Sequence, residues 1–163
     1  MADYENMKNA DYKIIGGVLH WYGGVWDGGV WTGGIWHGGT WKGGTWGGGL
    51  WLNGTWEDGV WEKGTWCQGV WKGGHWKNGL WYNGIWYNGI WLKGVWFDGS
   101  WRDGIWDGGI WHDGSWHNGV WLSGDWNNGN WYNGVWMKGD WERGSWHGGK
   151  WYGGSWRGGN WYY

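Results

Sequence analysis

The chain alternates large apolar positions with small or polar ones at a period of five residues. From Trp21 to Trp161 every fifth residue is Trp, and these 29 Trp are all that the sequence contains. A Gly lies three residues after each Trp but the last, from Gly24 to Gly159. The repeating unit therefore reads Gly, a residue that is often β-branched, Trp, a variable residue, and then Gly, Asn or Asp.

This unit predicts a short strand and a corner rather than a helix. A spacing of five would turn successive Trp by about 140° around a helix, so they would share no face. In a strand, each Trp and the Gly two residues before it point to the same side. The frequent Val, Ile or Thr before Trp favours an extended backbone. Gly, Asn and Asp two residues after Trp tolerate positive φ, which is typical of a corner.

Two architectures satisfy such a unit. In a β-solenoid, successive strands turn the same way and like positions stack about 4.8 Å apart. In an antiparallel meander of three-residue strands, each corner is a type I′ turn and all Trp lie on one face. The meander needs positive φ at both turn positions, which Lys63, Gln68 and Lys93 disfavour. It would also leave all the indoles on one exposed face, a larger apolar surface than soluble proteins tolerate. We therefore favour the all-β solenoid with inward Trp and keep the meander as the alternative.

The repeat divides the chain into two parts. Residues 1–19 predict an N-terminal cap with a degenerate first repeat, and residues 20–163 predict the solenoid. Gly16 stands where the period requires a Trp, and Ile14 and Leu19 stand where it requires Gly, as in a terminal repeat that closes a stack. For residues 1–13 we predict a short helix or an irregular strand.

Units such as Gly84-Ile85-Trp86-Tyr87-Asn88 resemble those of the pentapeptide-repeat family in period, phase and order of small and large residues. The resemblance covers residues 20–163 and implies a right-handed quadrilateral β-helix, with four five-residue faces per coil. That family points a large apolar residue, usually Leu or Phe, inward, with a small residue two positions earlier. Here Trp and Gly take these places, with roughly the same summed volume. Four faces per coil imply about seven coils and a length of roughly 35 Å.

The interior must be built from indoles, because the chain has 42 Gly, no Pro and one Phe. Burying about 200 Å² of each Trp contributes roughly 5 kcal/mol at about 25 cal/mol/Å². We expect each indole N–H to donate to a carbonyl at a Gly corner. The residues that we predict as structural core include Trp26, Trp31, Trp36, Trp86, Trp91, Trp96, Trp106 and Trp111.

Charge and targeting signals narrow the classes of partner. The formal net charge is −2 and the basic residues are scattered, so we expect no nucleic-acid partner. The N-terminal stretch has no apolar signal region, and no apolar run reaches membrane-spanning length, so we expect no membrane partner. Cys67 is the one Cys, which excludes a disulfide within one chain. We expect cytoplasmic synthesis and leave the final compartment open.

No residue pattern predicts catalysis, and we expect no enzyme, no cofactor and no metal site. The nearest His pair, His112 and His117, is one pentad apart, which puts the two on adjacent faces of a solenoid. Pairs such as Gly23-Gly24 lack the strand, loop and helix of a phosphate loop. Threonines at 40, 45, 55 and 65 would suit an ice-binding face only if the array continued, and Ser100 and Asp125 interrupt it.

The function that we expect is a non-catalytic structural rod. Runs of Trp–Gly pentads resemble stretches of bacteriophage tail and fibre proteins, which implies a spacer, needle or adhesin shaft and a place in a virion. An uncovered last coil would expose unpaired backbone groups, so we expect either continuation in a longer protein or self-association. The residues that we predict for the self-association end are Trp156, Trp161, Tyr162 and Tyr163.

Two other functions stay open. A carbohydrate-binding or adhesin module could use outward aromatic rows, with Tyr82, Tyr87, Tyr132 and Tyr152 stacking on sugars. The pentapeptide-repeat resemblance also implies a third function, since some members inhibit gyrase as dimers that mimic DNA. A net charge of only −2 argues against such mimicry.

Overall fold

The computed structural model describes residues 7–162, which form an all-β parallel solenoid with the Trp side chains inward. From Leu50 onward each pentad supplies one strand, and each of these strands pairs in parallel with the strand that lies three pentads before it. Ile85 pairs with Ser100 and Trp86 with Trp101 in the same register. The predicted β-solenoid is therefore confirmed, and the antiparallel meander is wrong.

Three of the first four strands are longer than the rest, and a regular series follows. The first four are β1 Met7–Ile15, β2 Val18–Trp31, β3 Ile35–Trp36 and β4 Thr40–Trp46. The strands of the series each hold two residues, the Trp and the residue before it. They are β5 Leu50–Trp51, β6 Thr55–Trp56, β7 Val60–Trp61, β8 Thr65–Trp66, β9 Val70–Trp71, β10 His75–Trp76, β11 Leu80–Trp81, β12 Ile85–Trp86, β13 Ile90–Trp91, β14 Val95–Trp96, β15 Ser100–Trp101, β16 Ile105–Trp106, β17 Ile110–Trp111, β18 Ser115–Trp116, β19 Val120–Trp121, β20 Asp125–Trp126, β21 Asn130–Trp131, β22 Val135–Trp136, β23 Asp140–Trp141, β24 Ser145–Trp146, β25 Lys150–Trp151, β26 Ser155–Trp156 and β27 Asn160–Trp161.

Three pentads make each coil, so the expectation of four faces per coil is wrong. Pairing across three pentads gives a triangular cross-section with about nine coils, or roughly 45 Å at about 4.8 Å per coil. Each face contributes one indole to the interior, and consecutive rings from Trp21 to Trp156 meet edge to face at 5.6–6.1 Å. Three such rings close the cross-section, because Gly leaves the other inward position without a side chain.

The three faces of the solenoid are defined by the Trp that they contain. The first face holds Trp21, Trp36, Trp51, Trp66, Trp81, Trp96, Trp111, Trp126, Trp141 and Trp156. The second face holds Trp26, Trp41, Trp56, Trp71, Trp86, Trp101, Trp116, Trp131, Trp146 and Trp161. The third face holds Trp31, Trp46, Trp61, Trp76, Trp91, Trp106, Trp121, Trp136 and Trp151.

The corners depend on the Gly three residues after Trp. In the regular series this Gly has φ between +99° and +133°, a conformation that few other residues adopt. At Gly109, with φ +112°, an added Cβ would overlap the carbonyl oxygen of Gly94 one coil below. Neighbouring coils therefore approach too closely at this corner for any side chain.

Asn and Asp at the position before this Gly act by hydrogen bonding and not through positive φ. Asn9 is the one non-Gly residue with positive φ among those described, which corrects the expectation from the sequence. Instead the side-chain Oδ1 accepts a hydrogen bond from the N–H of the next Gly, at 2.8 Å for Asn88 and 2.7 Å for Asp98. Such local bonds are typical of Asn and Asp in turns.

A hairpin precedes the regular coils. Strand β1 runs antiparallel to β2, with Tyr12 opposite Trp21 and Met7 opposite Trp26. The turn is made by Gly16 and Gly17, which both have positive φ. Strand β2 therefore pairs with β1 on one side and with β3 and β4 on the other. Of the two expectations for residues 1–13, strand is correct over residues 7–13, and residues 1–6 lie outside the described residues.

Candidate functional site

The interior of the solenoid is a continuous column of indoles along each face. Rings one coil apart are nearly parallel, at 4–8°, with centroids 4.7–5.2 Å apart from Trp21 to Trp156. Because stacked rings touch at about 3.5 Å, this centroid spacing means that each ring is tilted and offset over the next. The eight Trp that we predicted as core are all buried, with no exposed surface. No sugar or base can reach them.

The indole N–H groups point at the corner of the next coil. In seven rings the Nε1 donates to the carbonyl oxygen of the residue two after the Trp one coil on, as Trp91 does to Gly108 at 3.1 Å. Eighteen other buried Nε1 atoms between Trp21 and Trp126 make no hydrogen bond, although many lie at the same corner, as Trp76 does beside Gly94. The seven bonded rings are Trp56, Trp66, Trp91, Trp111, Trp131, Trp136 and Trp141.

The coil formed by β25, β26 and β27 leaves its indoles uncovered. Trp151 and Trp156 are half-buried, and Trp161 is 43% exposed, while every ring from Trp21 to Trp146 is buried. Tyr162 is also exposed and stacks on His147 at 4.8 Å. The predicted end residue Tyr163 lies outside the described residues. This coil therefore presents indole faces and strand edges together.

The four Tyr predicted for sugar stacking do not form one row. Tyr82 lies on the first face, Tyr87 and Tyr132 on the second, and Tyr152 on the third. Tyr82 stacks on Phe97 at 4.7 Å, and Tyr132 lies between two His rings at 5.0–5.2 Å. Stacking within the protein thus covers one ring face of Tyr82 and both ring faces of Tyr132. Tyr87 and Tyr152 lie exposed on separate faces.

These stacks are two outer aromatic ladders that the sequence analysis missed. Both consist of residues directly after Trp, which recur at every third pentad and so lie one above another. On the first face the ladder is Tyr82, Phe97 and His112. On the second face it is His117, Tyr132, His147 and Tyr162. Knowledge that the chain returns to the same face after three pentads would have shown both.

The predicted Thr array is divided among faces. Thr40 and Thr55 pair with each other on the second face. Thr45 pairs with Val60 on the third face, and Thr65 lies between Leu50 and Leu80 on the first. The four do not make a flat hydroxyl surface.

The first face carries a polar surface groove with a volume of about 520 Å³. Its groups largely bind one another: Asn127 contacts the His112 ring nitrogen at 3.0 Å, and Asn128 donates to Asp113 at 3.2 Å. Glu142 pairs with Arg157 at 3.2 Å. The lining residues are His112, Asp113, Asn127, Asn128, Glu142 and Arg143.

Three of the described side chains with shifted pKa values, His37, Cys67 and His117, lie apart along the chain. Burial and then Arg102 lower the pKa of His117, and burial and then His20 lower the pKa of His37. Burial raises the pKa of the Cys67 thiol, which makes it less reactive at neutral pH. Within residues 7–162 no three His, Cys, Asp or Glu side chains lie close enough together to hold a metal ion.

Neither the comparison with protein-family models nor the search of curated proteins finds a match. The described part of the chain contains no helix of the length and apolarity that crossing a bilayer requires.

Proposed function

We propose that this chain is a non-catalytic structural module, a stiff three-sided rod that associates with a second copy through β25–β27. The observation that carries the proposal is the unbroken stacking of indoles from Trp21 to Trp161. In a solenoid each coil contacts its neighbours alone, so an uninterrupted core gives uniform stiffness along the axis. Kinship with the pentapeptide-repeat family, as a three-sided variant, is part of this proposal. So is a role as spacer or shaft in a bacteriophage tail or fibre.

The two ends of the described solenoid differ, and this difference supports pairing rather than a filament. Strand β1 covers the edge of β2 from Val18 to Trp26, and Trp21, Trp26 and Trp31 are buried. Among the described residues, the strands β25–β27 pair on one side only. A two-fold axis that joins two such uncovered coils would bury the indoles and satisfy both sets of strand edges, and it would close the assembly.

The first test is the shape of the particle in solution. Small-angle scattering should give a rod of roughly 45 Å that doubles to about 90 Å as concentration rises. Trp161→Glu places a charge on the uncovered coil and should hold the rod at the shorter length. Tyr87→Glu is the matched control, since Tyr87 is similarly exposed but lies midway along the rod. Association through this coil would be contradicted if the two variants lengthened equally as concentration rises. It would also be contradicted if the unmodified protein kept a constant length at every concentration.

The second test separates a structural core from a sugar-binding surface. Buried indoles should emit at short wavelength and resist acrylamide, and added mono- and oligosaccharides should leave the emission unchanged. Trp161→Phe removes the most exposed indole and should reduce the quenching further. Emission typical of hydrated indole, or a saturable response to a sugar, would instead favour a carbohydrate-binding module.

A further inference from the structure

From Trp51 to Trp111, which is five consecutive coils, the residues on either side of each Trp of the first face include no Asp, Glu, Lys or Arg. Leu80 and Tyr82 at its centre are 36% and 45% exposed, and the other members are half-buried. At the same heights the second face carries Glu57, Lys72 and Arg102. The apolar patch consists of Leu50, Leu52, Thr65, Cys67, Leu80, Tyr82, Val95, Phe97 and Ile110.

The two corners that border the apolar patch have opposite charge. The corner before each of its strands carries Lys63 and Lys93 and no acidic residue. The corner after each strand carries Asp98 and Asp113 and no basic residue. All four side chains belong to exposed residues. The face therefore has a basic edge, an apolar centre and an acidic edge.

We propose that a second copy of this chain packs on the apolar patch, with the two rods side by side and parallel. A two-fold axis along the rod direction keeps each residue at its height and exchanges the edges. Lys93 then faces Asp98 of the partner subunit, and the two apolar centres meet as packed sheets about 10 Å apart. An antiparallel arrangement centred on Leu80 would place Lys63 against Lys93 and would leave Asp98 opposite the uncharged Gln68. The edge charges thus select the parallel pair.

The size of the patch sets the strength of this pair. Five coils at about 4.8 Å and a face about 13 Å wide give roughly 300 Å² per copy. Stable interfaces bury about 800 Å² per partner. The side-by-side pair should therefore be weak and concentration-dependent, and distinct from the association through β25–β27.

Cys67 lies within the apolar patch and reports on this pair by cross-linking. A bis-maleimide that spans the ~10 Å between packed sheets should join two chains through Cys67. In rods joined at β25–β27 the two thiols would be roughly 60 Å apart, about twelve coils at ~4.8 Å, and could not be linked. Labelling with a monofunctional maleimide confirms that the thiol is accessible in each variant.

Leu80→Glu should reduce the cross-linked dimer at least tenfold, whereas Ile85→Glu should leave its yield unchanged. Both residues directly precede a Trp, but Ile85 lies on the second face. Asp98→Asn keeps the acceptor for the Gly99 N–H, removes the charge and should lower the yield several-fold. Its control is Asp58→Asn, which makes the same change at a corner between the second and third faces.

Sedimentation equilibrium of the Leu80→Glu and Ile85→Glu variants gives a second readout that needs no thiol. Weaker association of Leu80→Glu alone supports the side-by-side pair. Equal yields and equal association constants for the two variants would overturn it, whatever the outcome for β25–β27. So would cross-linking that is strengthened by Asp98→Asn, because that result would show that the Asp98 charge repels the partner copy instead of attracting it.

Discussion

Gly109→Ala is expected to lower the free energy of unfolding by at least about 3 kcal/mol. Its φ of +112° is strained for any residue with a Cβ, at a cost of about 1–3 kcal/mol. The added Cβ would also overlap the Gly94 carbonyl, and the Gly94 amide nitrogen would lie at 3.0 Å. Both atoms are backbone and cannot turn aside, so the two coils must separate locally.

Gly108→Ala is the matched control, at the adjacent position of the same corner. Gly108 has no positive φ, and a Cβ there would meet its nearest atoms at 3.6–3.7 Å, which is ordinary contact. Its carbonyl would still accept the Trp91 N–H. Urea denaturation followed by far-UV circular dichroism should show a change of less than about 1 kcal/mol, because the backbone needs no adjustment. Equal destabilisation by the two substitutions would mean that the corner does not require the backbone geometry described here.

Trp91→Ala is expected to cost about 3–5 kcal/mol, the range for a large aromatic residue removed from a core. Trp91 stacks on Trp76 and Trp106 at 4.7 Å and meets Trp86 and Trp96 edge to face at 6.0 Å. Removal of the Trp91 ring leaves a cavity that is lined by these four indoles. It also deprives the Gly108 carbonyl of its indole donor.

Trp161→Ala is the control for Trp91→Ala and should cost about 1–2 kcal/mol, because nearly half of the Trp161 side chain is already exposed and less buried surface is lost than at Trp91. Trp161 is 43% exposed and stacks in parallel on Trp146 alone, at 5.1 Å and a looser angle of 21°. Denaturant titration of the two variants at low protein concentration, where association is absent, measures the difference. A Trp161 variant as unstable as the Trp91 variant would show that the core does not derive its stability from stacking on both sides.

The sequence was sufficient to predict strands, corners and the inward direction of Trp86 and its equivalents. Alternation along a strand places Trp86 and Gly84 on one side, and few other residues could fill a core. The number of faces was not predictable in this way. A five-residue period determines the length of a face, whereas the angle at each corner depends on how the indoles of one coil meet.

Two errors of sequence interpretation have identifiable causes. The residue types of Asn88 and Asp98 favour positive φ, but the following Gly takes that conformation and the side chains accept its N–H. The Gly16-Gly17 pair is a recognised hairpin signal, and the five-residue period conceals it because Gly16 falls in the phase of the missing Trp.

The apolar patch and the outer aromatic ladders could not be predicted from the sequence, because their prediction requires the number of pentads per coil. Leu80, Val95 and Ile110 are separated by three pentads each and lie side by side in the sheet. Nothing in a five-residue repeat shows that they share a face. Once three pentads are known to make a coil, the apolar patch and both outer aromatic ladders can be read directly from the printed sequence.

Three pentads per coil also relate the length of the chain to the orientation of its surfaces. Inserting three pentads would lengthen the rod by about 4.8 Å and leave every downstream side chain on its original side. Inserting one pentad would advance the chain by about 1.6 Å and rotate everything beyond the insertion by about 120°, moving Leu80 and its neighbours onto a different side of the triangle. Whole coils can therefore be added or removed without changing the orientation of any surface. A single added pentad, in contrast, rotates the downstream part of the rod and so changes which of its three faces points toward a given binding partner.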